Sequence, residues 1–98
     1  MNIQAMMKQA QKLQKEMMEE KNKIDETIFT GESSFVKVEV YGSKKIKNVI
    51  IDEKELSEED IEMLQDIMVV AINDAMNKID KETEKKMGKY TQGMPGLF

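Results

Sequence analysis

The sequence predicts an α+β protomer of the order α-β-β-β-α, a small antiparallel sheet set between two long helices. Three observations predict it. Apolar residues recur at helical spacing through the first 24 positions, Phe35–Tyr41 alternates as a strand does, and a second helical pattern runs from Ser57 to about Met87.

In the first helix Ile3, Ala10, Met17 and Ile24 stand seven apart with Met6 and Leu13 between them, an a/d seam that Glu20 interrupts. Three heptads suit either a coiled coil or a helix packed on one side against a sheet or another helix. Lys8, Lys12 and Lys15 fall on the outward side.

Thr27–Thr30 favours strand and is followed by the turn-like Gly31-Glu32-Ser33-Ser34. From Phe35 to Tyr41 three valines face one way and Lys37 and Glu39 the other, as in a sheet covered on one side. Gly42-Ser43-Lys44-Lys45 reads as a hairpin turn, and Ile46–Asp52 as the return strand. The parity change between Ile46 and Val49 suggests a bulge or a frayed start.

Ser57 is a good N-cap for the last helix, with Glu58, Glu59 and Asp60 at its positive dipole end. Ser57 and Asp60 stand as a shortened capping box. Through Met87 this helix would measure roughly 46 Å, against a radius of gyration near 13 Å for a compact domain of about 100 residues. Such a helix needs a partner chain or a projecting tip. Its apolar middle supplies the candidate dimer contact: Leu64, Ile67, Met68, Ala71, Ile72 and Ala75. The open edges of so small a sheet also favour pairing with a second chain.

Residues 1–88 thus form one domain. Residues 89–98 form a Gly/Pro/Met tail, expected to be mobile because Gly93, Pro95 and Gly96 oppose helix, although Met94, Leu97 and Phe98 suit docking.

Composition narrows the function classes. The chain has neither cysteine nor histidine, which removes disulfides, thiolate chemistry, the usual general base and the commonest transition-metal ligand. No Gly-rich phosphate loop, calcium loop or nucleophile–base pair appears. The expectation is a cytoplasmic non-enzyme with no metal, cofactor, small-molecule substrate or membrane segment.

Net charge is −4 among 98 residues, but its distribution is uneven. Residues 53–66 carry one lysine against seven acids, whereas residues 1–24 carry five lysines against three. All fifteen basic residues are lysine, so nucleic-acid binding would be phosphate-directed, without arginine's bidentate fork for guanine. Lys78, Lys81 and Lys85 form a stripe that Lys89 joins if the helix passes Gly88. Lysines near a helix C-terminus also complement its dipole and solvate an outer face, so the rows admit a bland reading beside a polyanion site. Most of the ten methionines fall on helical seams, where core packing competes with an adaptable partner groove.

Several stretches together resemble the YbaB/EbfC family of bacterial nucleoid-associated proteins. They are Met7-Lys8-Gln9-Ala10-Gln11-Lys12-Leu13-Gln14, Phe35-Val36-Lys37-Val38 leading to Tyr41-Gly42, and Val49-Ile50-Ile51-Asp52. Glu62–Asp66, Ala71-Ile72-Asn73-Asp74-Ala75 and Gly93-Met94-Pro95-Gly96 complete the match in order. The resemblance implies a tweezer-like homodimer with joined sheets and projecting helices, binding nucleoid DNA with effects on gene expression. It places DNA contact on Lys8 and Lys12 of the first helix and on Lys78 of the last. Asn77-Lys78 stands where relatives often carry an arginine pair, and Gly31-Glu32-Ser33-Ser34 where a glycine-rich approach is common.

The expected function is therefore non-enzymatic DNA binding by a homodimer, through Lys8, Lys12, Lys15, Lys78, Lys81, Lys85 and Lys89. The rival is a dimeric protein-interaction module whose helical arms grip another protein.

Overall fold

The computed structural model describes residues 2–91. Its element order is α1 (Ile3–Glu26), β1 (Ile28–Ser33), β2 (Val36–Tyr41), β3 (Ile46–Ile51) and α2 (Glu58–Thr91). The three strands form an antiparallel meander in the order β1-β2-β3. The expected α-β-β-β-α order and antiparallel sheet are therefore present. The molecule is long, 71 × 21 × 14 Å, with a radius of gyration of 19.3 Å, well above the ~13 Å of a compact domain of this size.

Both helices start where their caps dictate. Asn2 accepts the amide of Gln4 at 3.0 Å at the head of α1. At α2 the capping box is reciprocal. The Ser57 amide donates to Asp60 Oδ2 at 2.9 Å, and the Asp60 amide donates to Ser57 Oγ at 3.3 Å. The bond from the Ser57 amide, and after it the Ser57 hydroxyl, hold the Asp60 carboxyl below its ordinary range.

The strand boundaries differ from the sequence reading, most at the end of β1. Gly31, Glu32 and Ser33 belong to β1 rather than to a turn, since pairing with β2 continues to Ser33 opposite Val36. The loop is then only Ser34-Phe35, with Ser34 in the left-handed region at φ 51°. The bulge suggested by the parity change is present. Glu39 faces Asn48 while Val40 faces Ile46, which leaves Lys47 as the extra residue in β3.

Gly31 explains why a turn-like tetrapeptide forms strand. A Cβ there would collide with the Ala71 carbonyl oxygen and the Ala75 amide of α2, and would lie 2.9 Å from Ala75 Cβ. The helix therefore lies directly on the β1 backbone. Val36, Val38 and Val40 fill the space beside this contact with Ala71, Ala75 and Ile79, all essentially inaccessible to solvent. Phe29, Leu64, Ile67, Met68, Ile72 and Met76 pack around them, each half-buried.

α2 crosses β1 and β2 but does not reach β3. Ile46, Val49 and Ile51 lie on the helix side of the sheet, opposite Val40, Val38 and Val36. They are nonetheless 45%, 36% and 40% exposed. The sheet thus keeps an uncovered apolar margin along β3.

A second cluster joins the helices. Ile24 of α1 packs with Met87 and Tyr90 of α2, and Met17 closes against them. This contact carries α2 past Gly88, where the sequence reading placed its end, to Thr91. Burial of Tyr90 stabilises the extra turn, and a glycine alone does not stop a helix that is packed on both sides of it. The expected tail from Gln92 onward lies outside the described residues.

Candidate nucleic-acid interface

The first fifteen residues contain no acid, and their basic groups are Lys8, Lys12 and Lys15. All three are exposed. By helical period they lie on the face of α1 turned away from Met17 and Ile24, the residues that meet α2. The outer surface of this arm therefore carries these lysines with the amides Gln4 and Gln11, followed further along by Glu16 and Glu19. That acid-free stretch is visible in the sequence, in the absence of Asp and Glu before Glu16.

The second row divides. Lys81 and Lys85 are exposed and turned away from Met87 and Tyr90, so the two rows occupy outer faces of two antiparallel helices rather than one shared patch. Among the described residues, Lys8, Lys12, Lys15, Lys81 and Lys85 have no carboxylate within 4.0 Å. Lys89 is inside α2, as the stripe required, and its ammonium lies 5.0 Å from the centre of the Tyr90 ring.

Lys78 is differently placed. Its ammonium donates to the Thr30 carbonyl at 2.7 Å and lies 3.4 Å from Asp74 Oδ2. Asp74 in turn accepts the Glu32 amide at 3.1 Å. That bond is the main influence holding the Asp74 carboxyl below its ordinary range; desolvation opposes it, and Lys78 and Lys81 add smaller lowering contributions. In β1 the odd positions pair with β2, as the bond from the Gly42 amide to the Thr27 carbonyl indicates, so Thr30 and Glu32 point outward. Asp74 and Lys78 thus occupy the free edge of β1. The Asp74–Lys78 spacing of four was legible, but no local signal pointed to Thr30.

Charge along α2 is separated by distance. Asp60 and Lys81 are 21 helical residues apart, about 32 Å, or roughly four Debye lengths at physiological ionic strength. The acids of residues 53–66 therefore do little to weaken the field at the lysine end.

Of the six residues expected at a dimer contact, Ala71 and Ala75 are fully buried within the protomer against Gly31. Neither has surface left to offer a second chain. Leu64, Ile67, Met68 and Ile72 keep part of theirs. The exposed β3 margin was missed, because its exposure depends on where α2 crosses the sheet.

An elongated α+β protomer with lysines on the outer faces of two helical arms is the class these parts define. The chain belongs to the YbaB/EbfC DNA-binding family, whose model matches residues 1–94. It is similar to proteins called "Nucleoid-associated protein" from Ligilactobacillus salivarius and Enterococcus faecalis. The first is 44% identical over 99% of this chain and 95% of the relative, the second 47% identical over 98% and 94%. A relative of the same description from Pediococcus pentosaceus is 48% identical over 98% and 94%. The crystal structure of an uncharacterized protein from Helicobacter pylori shares the fold, with a TM-score of 0.77 and 23% identity over 92% of this chain and 97% of that one. Among the described residues no helix is long and apolar enough to cross a membrane.

Proposed function

We propose that the protein is a homodimeric, non-enzymatic DNA-binding protein of the nucleoid. In this reading Lys8, Lys12, Lys15, Lys81 and Lys85 contact phosphates with little sequence selectivity, Lys89 and Lys78 contribute less, and effects on gene expression follow from occupancy. The observation that carries it is the acid-free, lysine-bearing stretch of α1 before Glu16, remote from the acidic start of α2. Family membership and the names of the relatives support the same reading.

The second copy is assigned to the β3 side. The outward Thr30 carbonyl and Glu32 amide of β1 are taken by Lys78 and Asp74, whereas β3 carries an uncovered apolar margin of Ile46, Val49 and Ile51. Leu64, Ile67, Met68 and Ile72 of α2 supply further half-buried apolar area. Closing two such margins on each other hides apolar surface and both open edges at once.

A mobility-shift titration against salt tests DNA binding. With about 4–8 phosphate contacts per dimer, log K should fall against log salt with a slope of roughly −4 to −7. Lys8→Glu should weaken binding alike on unrelated sequences. Absence of a shift at low salt overturns the reading. Sedimentation tests the assembly: the native chain should run as a dimer and Val49→Glu as a helical monomer.

A further inference from the structure

A groove of about 320 Å³ lies between the arms, lined by Ala10, Leu13, Gln14 and Met17 of α1 and by Tyr90 of α2. It is almost wholly apolar. Ile24 packs with Met87 and Tyr90, and Tyr90 then borders Ala10 and Leu13. α2 therefore runs toward the N-terminus of α1. Past the groove the stripe on α1 continues as Met6 and Ile3, 52% and 72% exposed. An isolated apolar residue at a surface is ordinary, but a continuous stripe with a groove at its foot is not.

We propose that the groove and stripe are covered by residues 94–98 of the same chain. Tyr90 borders the groove, and Thr91 is the last described residue, so the residues that follow begin beside it. The next seven residues, Gln-Gly-Met-Pro-Gly-Leu-Phe, carry no charged side chain and three large apolar ones. Gly93, Pro95 and Gly96 oppose helix and suit an extended course along α1. Reach is sufficient: seven extended residues span up to about 24 Å, whereas Leu13 to Ile3 along α1 is about 15 Å. Met94, Leu97 and Phe98 take the side of α1 opposite Lys8, Lys12 and Lys15, so docking leaves the lysine face open. The inference is thus independent of DNA binding.

Methyl-labelled full-length protein tests this by NMR. Contacts from the Phe98 ring to the Leu13 and Met17 methyls are expected. Amides of residues 3–14 should exchange roughly tenfold more slowly than in a Met94→Ala, Leu97→Ala, Phe98→Ala variant. No such contacts and unchanged exchange would overturn the proposal. Contacts seen only between differently labelled chains would overturn it too, by assigning the groove to a second copy's tail. Because the ring contacts are read on the native chain, misfolding of the triple variant would not rescue the idea. A normal DNA salt slope beside absent ring contacts would count against tail docking alone.

Discussion

The ammonium of Lys78 donates to the carbonyl of Thr30 at 2.7 Å, across 48 residues of sequence. One turn earlier Asp74 accepts the Glu32 amide at 3.1 Å. Together they satisfy two outward-pointing groups of β1 that another strand would otherwise use. A residue that reads from sequence as one of a row of surface cations is therefore held against its own sheet. Asymmetry between the two sheet edges follows, with part of the β1 edge taken by side chains of α2, which does not reach β3.

Lys78 and Lys81 should consequently behave differently. Lys78→Ala is expected to lower stability by about 0.5–1 kcal/mol, within the usual range for a lost hydrogen bond, and to promote concentration-dependent association through β1. Lys81→Ala should leave the thermal midpoint unchanged and reduce the DNA salt slope by about 1 for each site lost. Thermal unfolding and salt titration on the two variants check this. Equal effects in both assays would contradict the distinction.

Asp74 links the same contact to pH. Its carboxyl is held low in the folded protein, so the unfolded chain binds the proton more readily. The stabilisation is fully present above the unfolded value, about pH 4. It is lost as pH falls through the lower folded value. Asp74→Asn should therefore flatten the acid limb of a stability-against-pH curve. Asp60 titrates in the same direction, so part of the slope should persist. Denaturant melts between about pH 2 and 6 measure it.

Gly31→Ala tests the helix-on-strand contact. The added methyl would meet the backbone of Ala71 and Ala75, which has no rotamer to yield. A loss of about 3 kcal/mol or more is expected, at the upper end for overpacking. A variant as stable as the parent in urea melts would mean that α2 lies farther from β1.

Gly88→Ala should act the other way. Gly88 is inside α2, and a Cβ there meets nothing within 4 Å. Alanine should stabilise the helix by up to about 1 kcal/mol. Because Met87 and Tyr90 flank it in the contact with α1, the gain should appear as a raised thermal midpoint and as slower amide exchange in the last turns. If the midpoint falls, the helix past Gly88 is not the stable form.

What the sequence by itself determined was local. The element order, the valine face of β2, the Ser57–Asp60 cap and the division of α2 into an acidic start and a lysine end all follow from periodicity, capping and charge along the chain. The Lys47 bulge was half legible, as a parity change with two possible causes. Tertiary structure alone decided where α2 crosses the sheet. That crossing made Gly31 a contact rather than a turn, buried Ala71 and Ala75, left Ile46, Val49 and Ile51 uncovered, and brought Lys78 to Thr30. The docking of α1 likewise buried Tyr90 and carried α2 through Gly88. The physical reason is common to all of these. Periodicity shows which face of an element is apolar, whereas the residue that meets it comes from 40 or more positions away and is chosen by packing.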